Sequence, residues 1–272
     1  PIDEIQRIAK ERKVFLIEDL AHGLGANLHD QPLGTFGDAA ILSFGRDKAI
    51  STVFGGAVIS RNSHLMETVR EDQEHLSYPP YWWVKQQLLH PLVMRVVKPL
   101  YFKHQIGKIL LVLAQKVRLL SRAVTPGERQ GRPPKFIQWR YSPALALLLS
   151  KQLTKLERFT THRRSVAARY ASKLPSTPHL QQELPRASWL RFPLQVKNPA
   201  QVFSAAQLKH ILLGDWYAAA VFPSSDVSGY EAGSCPQAEY AAKHTINLPT
   251  YPSLTELQTS KITNLVADQV DD

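Results

Sequence analysis

Three residues in the first fifty positions could together bind a ligand that carries an aldehyde and a phosphate. Ser43 and Lys48 lie five residues apart behind an apolar run. A lysine amine can form a Schiff base with an aldehyde, and a serine hydroxyl with nearby backbone amides can hold a phosphate. If that ligand is pyridoxal phosphate, an acid must also face its ring nitrogen, because a protonated pyridinium makes the cofactor an electron sink. Asp19 is the candidate for that acid.

Two apolar runs are expected to position these residues. Val14 to Ile17 is a continuous apolar run that ends at Glu18-Asp19, and Ala39 to Phe44 contains Ser43 near its end. Continuous apolar runs are typical of parallel strands that are covered on both faces. Because ligands of open α/β sheets bind at the carboxyl ends of the strands, the pattern predicts a site at that edge.

The segments EDLAHGLGA, PLGTFGDAAILSFGRDK and GGAVIS resemble the core of the DegT/StrS family of sugar aminotransferases, which are pyridoxal phosphate enzymes of fold type I. The resemblance implies that Asp19 pairs with the pyridine nitrogen and that His22 lies against the cofactor ring and hydroxyl. It implies that Ser43 contacts the cofactor phosphate and that Lys48 is the catalytic lysine, which binds the cofactor covalently. Gly55-Gly56 matches the family's glycine pair, where a tight backbone follows the lysine loop.

The resemblance also implies a function. We expect a transaminase that acts on a keto sugar, nucleotide-linked by analogy with the family, with an amino acid such as glutamate as donor. The family is dimeric, so a homodimer is expected. The alternative is a catalytically silent fragment or homologue that binds a membrane or a partner protein. Taken singly, each motif residue has an ordinary explanation as a helix cap or a surface charge. Their joint order between predicted strands favours the enzyme.

The composition is that of a globular chain. Its 272 residues are 44% hydrophobic, which is ample for a buried core. Cys235 is the lone cysteine, so no intramolecular disulfide is possible and a reducing, cytoplasmic setting is the default expectation. The chain shows no signal peptide, and neither a metal-ligand spacing, a Walker-type loop nor a Ser-His-Asp arrangement stands out.

The predicted fold class is α/β in three parts. Residues 1–75 would be the C-terminal part of a fold type I large domain, a mostly parallel sheet with helices. Residues 76–135 would be a basic, amphipathic helical insertion, and residues 136–272 a small C-terminal α/β domain. Relative to the family the sequence opens inside the large domain, so we expect the N-terminal part to be missing and the fragment alone to be inactive.

The insertion carries an uneven share of the net charge of +10. No Asp or Glu occurs between Glu74 and Glu128, while eight cations fall there: Lys85, Arg95, Lys98, Lys103, Lys108, Lys116, Arg118 and Arg122. Two helical patterns carry apolar stripes, one with Trp82, Leu89, Val93, Val96 and Leu100 and one with Ile106, Leu110, Leu113, Val117 and Leu120. Charges interrupt both stripes well before the roughly 18 apolar residues that a membrane span needs.

Two explanations of the insertion stay open. Residues 81–122 have the composition of interfacial helices, with a cationic face and tryptophans for the headgroup region, which predicts peripheral attachment to an anionic inner membrane face. Alternatively, the stripes pack on the protein's own core or on a partner subunit. Nucleic acid ranks lower, because the aromatic residues are not interleaved with glycine as in single-strand binding surfaces.

The C-terminal part continues the resemblance. Periodicity predicts a long helix over 143–174, a strand over 189–196, a helix over 199–212, a strand over 217–222 and a last helix capped by Thr255 or Ser253. Arg140 matches an arginine of the family, but Gln138 replaces the asparagine that in the family reaches the cofactor phosphate of the neighbouring subunit. The segment FPSSD at 222–226 replaces a family histidine near the sugar, so the identity of the substrate does not transfer.

Overall fold

The computed structural model describes residues 1–101, 106–122, 124–125, 127–174, 186–221 and 229–269. The chain forms two compact units, one of residues 1–160 with 186–188 and the other of residues 161–185 with 189–272. The first unit runs through the insertion and on into the segment that the sequence assigned to the small domain. The predicted division into 1–75, 76–135 and 136–272 remains a prediction.

The described chain contains five consecutive strands after its first helix, then a run of five α-helices, and two further strands among the last helices. The helices are α1 (Ile2–Arg12), α2 (Ser63–Glu74), α3 (Tyr81–Leu100), α4 (Ile106–Lys116), α5 (Pro143–Leu153), α6 (Leu156–Lys173), α7 (Pro199–Leu208), α8 (Pro236–His244) and α9 (Glu256–Val266). The strands are β1 (Ile17–Asp19), β2 (Asn27–Leu28), β3 (Gln31–Pro32), β4 (Ala39–Ser43), β5 (Gly56–Ile59), β6 (Phe192–Gln195) and β7 (Thr245–Leu248). The predicted α/β class is confirmed.

The main sheet of the first unit has the strand order β1-β4-β5 among the described residues. β1 and β4 are parallel, with Ile17 opposite Ala39, whereas β5 runs antiparallel to β4, with Ile59 opposite Ala40. The carboxyl ends of β1 and β4 therefore lie at one edge of the sheet, as the sequence predicted. The sheet is mixed, because the turn after the lysine loop sends β5 back along β4.

The first apolar run, Val14 to Ile17, does not form the full strand that was predicted for it. β1 includes only Ile17 of the run, and Val14 and Phe15 are exposed. The reason lies in α1, whose C-cap Lys13 adopts a left-handed conformation (φ 54°) while the Val14 N–H bonds to the Ala9 carbonyl. The chain is thus still closing a helix where a strand was expected. α1 itself has no fully buried residue.

The second unit has its own core. β6 and β7 form an antiparallel pair, and a cluster of buried side chains joins this pair to the neighbouring helices. The largest members are Tyr170, Phe192, Leu194, Ile246 and Leu248. The Tyr170 hydroxyl donates to the Pro249 carbonyl at 3.1 Å, so the one polar atom of this buried ring has a partner.

Several predicted bounds change in this part of the chain. The long helix predicted over 143–174 is two helices, α5 and α6, with a break after Leu153. Residues 217–221 do not form the predicted strand, and Phe222 lies outside the described residues together with the rest of 222–228. Gly214, just before it, makes the isolated bridge to Asn247. The predicted cap at Thr255 is confirmed, since its side chain and that of Gln258 form a capping box.

Among the described residues, no helix is both long and apolar enough to cross a membrane. This agrees with the interrupted apolar stripes of the insertion.

The glycine pair before β5 is required by packing. Gly55 has φ +126°, and a Cβ built on it would lie 2.2 Å from the ring of Tyr141. The Tyr141 hydroxyl in turn lies 2.6 Å from the Thr52 hydroxyl, next to the same turn. The absence of a side chain at Gly55 therefore lets the lysine loop close against Tyr141.

We predict that Gly55→Ala lowers the free energy of unfolding by about 3 to 5 kcal/mol, because backbone strain and a clash with Tyr141 combine. Urea unfolding measures this loss. Gly131→Ala is the matched control, since Gly131 has φ +73° and open space around a built Cβ. It should cost only the strain of about 1 to 2 kcal/mol, and equal losses in both variants would contradict the role of Tyr141.

Candidate active site

Asp19 and Ser43 lie on one face of the main sheet at its carboxyl-terminal edge. Asp19 is the last residue of β1 and pairs with Ile41 of β4. Ser43 is two residues further along β4, so its side chain lies on the same face as those of Ile41 and Asp19. The register thus brings an acid and a hydroxyl, 24 residues apart in sequence, to neighbouring strand ends.

The loop after β4 brings Lys48 back to Ser43. The Lys48 N–H donates to the Gly45 carbonyl at 3.2 Å, and the Gly45 N–H donates to the Ser43 hydroxyl oxygen at 3.4 Å. A Cβ built on Gly45 would lie 3.6 Å from the Ser43 hydroxyl oxygen and 3.7 Å from Lys48 Cγ. Both side chains therefore lie against the same glycine, and Lys48 is half-buried.

The turn after β1 holds the other two predicted residues. Asp19 is exposed, and its carboxylate accepts the Ala21 N–H at 2.8 Å, which fixes the direction of the side chain. His22 is exposed in the same turn, and its carbonyl accepts the Ser188 hydroxyl at 2.8 Å. The structure thus places Asp19 and Ser43 at strand ends. His22 and Lys48 lie in the loops that follow those strands.

Glu18 is a residue whose role the sequence did not reveal. It is buried, and its carboxylate accepts the backbone N–H groups of Gly34 at 2.6 Å, Phe36 at 2.8 Å and Gly37 at 2.7 Å. Because side chains alternate along a strand, Glu18 must face away from Asp19. This alternation was visible in the sequence, but the donors come from a loop that only the fold brings near. Glu18 therefore anchors the loop that leads into β4.

Arg46 is a second such residue, and it connects the lysine loop to the insertion. Its guanidinium donates to the Ser121 hydroxyl and lies 5.1 Å from the ring centre of Phe54. Burial lowers the pKa of Arg46. Burial and, next, the positive charge of Arg46 lower the pKa of His90, which lies on α3, to about 4. His90 is therefore neutral at physiological pH beside the cationic loop.

A cavity of about 420 Å³ adjoins Ser43 and Gly45. Its walls include Phe54, Trp83 and Phe136, whose rings pack together. The distance between ring centroids is 5.4 Å for Phe54 and Trp83 and 4.7 Å for Phe54 and Phe136. Trp139, Tyr141 and Arg140 complete the aromatic and cationic lining. The cavity thus offers flat apolar surfaces and one guanidinium directly beside the proposed phosphate contact.

No group of three or more His, Cys, Asp or Glu side chains in the described ranges could hold a metal ion.

Fold and site together define an α/β protein with a lysine and a serine in the loop behind one strand and an acid at the end of its neighbour. The model of the DegT/DnrJ/EryC1/StrS aminotransferase family matches residues 1–82 and 137–267. The chain belongs to this family. Residues 83–136, which include most of α3 and all of α4, lie outside the match.

Among curated relatives, the pleiotropic regulatory protein of Geobacillus stearothermophilus is 24% identical over 276 residues, which cover 98% of this chain and 61% of that protein. The UDP-4-amino-4,6-dideoxy-N-acetyl-beta-L-altrosamine transaminase of Campylobacter jejuni is 36% identical over 74 residues, 27% of this chain and 20% of that protein. The chain thus spans at most about three fifths of the length of these relatives.

Two solved structures illustrate the likeness of fold. S. venezuelae DesV in complex with a ketimine intermediate has a TM-score of 0.68 at 21% identity and covers 99% of this chain and 62% of its own. A DegT DnrJ EryC1 StrS aminotransferase from Brucella abortus has a TM-score of 0.65 at 20% identity and covers 98% of this chain and 60% of its own. At these identities the comparison shows the fold.

We predict that Glu18→Gln lowers the free energy of unfolding by about 2 to 4 kcal/mol, because an amide loses charge-assisted hydrogen bonds and turns its NH₂ group toward backbone donors. Chemical denaturation measures the loss. The neighbouring change Asp19→Asn is the control, since Asp19 is exposed, and should cost about 0.5 kcal/mol or less. A Glu18→Gln protein as stable as the parent would contradict the anchoring role.

Proposed function

We propose that this chain is part of a pyridoxal phosphate-dependent aminotransferase that acts on a keto sugar. We further propose that this sugar is linked to a nucleotide. The observation that carries the proposal is the convergence of Asp19, Ser43 and Lys48 at one edge of the sheet, with Ser43 and Lys48 against Gly45. Family membership supports the same chemistry. The alternative, a catalytically silent homologue, shares the fold and is separated from the enzyme by the labelling experiment below.

The side chains at this edge suit pyridoxal phosphate. The Ser43 hydroxyl oxygen accepts the Gly45 N–H, which leaves its own proton for a phosphate oxygen. The Lys48 amine is the group that can join covalently to an aldehyde carbon, and the Asp19 carboxylate is the group that can face a protonated ring nitrogen. When bound, the cofactor supplies an electron sink for the carbon from which a proton is removed.

Each residue then has a defined task. Lys48 would hold the cofactor through its amine, and the same amine would accept and return the proton at the reacting carbon of the substrate. Asp19 keeps the ring nitrogen protonated, and its hydrogen bond from Ala21 holds the carboxylate in place. Ser43 anchors the phosphate, and His22 orients the ring. Glu18 and Arg46 act as positioning residues behind this set.

The cavity beside Ser43 supports a substrate with a planar group and negative charge. Aromatic rings such as those of Trp83 and Phe136 stack on bases and on the apolar faces of sugars, and a guanidinium such as that of Arg140 pairs with phosphate. The relatives include proteins named for UDP-linked and GDP-linked sugars, among them the GDP-perosamine synthase of Escherichia coli O157:H7. A nucleotide-linked keto sugar has both features.

The remaining parts of the proposal concern the donor, the assembly and the location. The donor would be an amino acid such as glutamate, and the enzyme would be a homodimer, in keeping with the resemblance to the family. We place it in the cytoplasm, in agreement with a lone exposed cysteine, Cys235. Residues 81–122, which contain no acid, would hold it at the inner face of the membrane.

We predict that Lys48 is the residue labelled when the whole protein is incubated with pyridoxal phosphate and reduced with borohydride. Peptide mapping should locate the pyridoxyl group on Lys48, and Lys48→Arg should abolish it. Lys10→Arg is the control, since Lys10 is an exposed lysine of α1 that should have no effect. A label on another lysine would overturn the site, and no label at all would favour the silent homologue.

We predict that Asp19→Asn leaves the cofactor bound but slows transamination roughly 100-fold or more, because an amide cannot stabilise a protonated ring nitrogen. The absorbance of the bound cofactor and single-turnover rates measure the two effects separately. Asp47→Asn, an exposed acid in the lysine loop, is the control and should retain most activity. Near-normal turnover of Asp19→Asn would assign the acid role to another residue.

A further inference from the structure

The inserted helices α3 and α4 form a hairpin that lies almost wholly outside the family match. Gly107 at the start of α4 packs against the backbone of Tyr101, and the residues after α4 return to the start of α3. There, Gln86 donates to the Arg118 carbonyl, and the Ser121 hydroxyl donates to Gln87 at 2.7 Å. The two helices are therefore antiparallel. Their buried residues are Gln86, Gln87 and Val97 of α3 and Gly107 and Ala114 of α4.

The hairpin leaves a large part of its apolar surface exposed. Gln86, Gln87 and Val97 of α3 are buried, whereas Leu92, Val96 and Val117 are 61%, 60% and 72% exposed. Burial of apolar side chains is the main stabilising term in folding, so these exposed leucine and valine side chains are available for contact with another apolar surface. The predicted stripes are divided between two environments. Leu89, Val93 and Leu100 are half-buried and Leu120 is buried, whereas the other predicted members are exposed.

The outward residues form continuous stripes along both helices. On α3 the exposed positions follow helical spacing, with Tyr81, Lys85, Leu88, Leu92, Val96 and Pro99 in one row. On α4 they do the same, with Ile106, Ile109, Leu110, Leu113, Lys116 and Val117. Trp82 is exposed beside Tyr81 at the end of this surface. We call these exposed residues of 81–117 the hairpin face. It is apolar along its length, with an aromatic pair at one end.

The charge of the hairpin selects among occupants of this face. The described residues of 81–122 carry seven cations and no acid: Lys85, Arg95, Lys98, Lys108, Lys116, Arg118 and Arg122. A second copy of the same face would bring like charges together, which is unfavourable at a contact. Nucleic acid would match the charge but not the rows of leucine, isoleucine and valine. An anionic lipid surface matches both, because it pairs headgroups with cations and acyl chains with aliphatic side chains.

We propose that the hairpin face is a monotopic docking surface for an anionic lipid bilayer. The helices lie along the interface, with the leucine and valine rows in the headgroup boundary and Trp82 at headgroup level. The cations beside these rows pair with lipid phosphates. This inference deepens the location that we proposed above and depends on the hairpin alone, so it does not require the chemistry assigned to Lys48.

Vesicle flotation of the full-length protein tests the proposal, with vesicles of phosphatidylcholine alone or mixed with phosphatidylglycerol, at low and high salt. We expect flotation with the anionic vesicles at low salt and weaker flotation at high salt. Lys85→Glu, Lys98→Glu and Lys116→Glu together should reduce the partition coefficient by roughly 100-fold, since each cation near an anionic surface contributes about a fivefold factor.

Two matched sets of substitutions control for charge and for apolar surface. Lys151→Glu, Lys209→Glu and Lys261→Glu change net charge equally at exposed positions outside the hairpin and should leave flotation unchanged. Leu92→Ser, Val96→Ser and Val117→Ser should weaken flotation at either salt concentration, whereas Leu147→Ser, Leu208→Ser and Leu257→Ser, also exposed, should not. Equal melting temperatures would show that the variants remain folded.

Three results would overturn the proposal. One is a parent protein that stays unbound with anionic vesicles at low salt, and another is an equal loss of flotation in the control sets. The third is a serine triple that changes the oligomeric state but not flotation, which would make the hairpin face a protein interface. Borohydride labelling of Lys48 in the same preparations separates this outcome from a failure of the proposed function, because labelling does not depend on vesicles.

Discussion

The parallel pairing of β1 with β4 is the constraint on which the candidate site depends. It sets Asp19 opposite Ile41 and thereby puts Asp19 and Ser43 on the same face at the same edge. The two strands are joined by a long loop, and Glu18 fixes its end by accepting three backbone N–H groups of the stretch Gly34 to Gly37. A buried carboxylate is costly unless it is hydrogen-bonded, so this loop and this residue stabilise each other. Glu18 thus fixes β1 against this loop from one face of the sheet, and Asp19 lies at the end of the same strand on the opposite face.

The lysine loop is the second structure that this pairing positions, and it is supported from two sides. On one side, Gly55 and Tyr141 close the turn into β5, where a side chain at Gly55 would overlap the ring. On the other side, Arg46 reaches Ser121 of the insertion and lies over Phe54. The second support comes from residues outside the family match, so the lysine loop is also held by the insertion.

The insertion therefore has two faces with different tasks. Its inner face carries Gln86, Gln87 and Ser121, which bond to one another and to backbone carbonyls of the insertion, and Ser121 also accepts from Arg46 of the lysine loop. Its outer face carries aliphatic rows among cations. Polar groups can be buried on the inner face because they are paired with one another and with backbone carbonyls. This arrangement leaves the apolar residues of α3 and α4 available for a lipid surface, and it links the proposed membrane contact to the proposed site through one short segment of chain.

The sequence by itself determined the features that depend on neighbouring residues. The Ser43 and Lys48 spacing, the acid after the first strand and the helix cap at Thr255 follow from local chemistry, and the cap is confirmed by its hydrogen bonds. The roles assigned to Asp19, His22, Ser43 and Lys48 stay predictions, although the fold brings these residues to the predicted edge. Membership of the aminotransferase family could likewise be predicted from three short segments, because they contain the residues that surround the site.

Only the tertiary structure decided which side of each pattern is buried. An apolar stripe has the same helical period whether it faces a core or solvent, so the sequence could not tell that Leu113 and Val117 would be exposed and Gln87 buried. Val14 is expected in a strand from its sequence, but in the structure its N–H donates to the Ala9 carbonyl at the end of α1. Glu18 looked equivalent to Asp19 until a loop sixteen to nineteen residues away supplied its donors. In each case the deciding contact joins residues that are not neighbours in sequence, and a local pattern carries no record of such a contact.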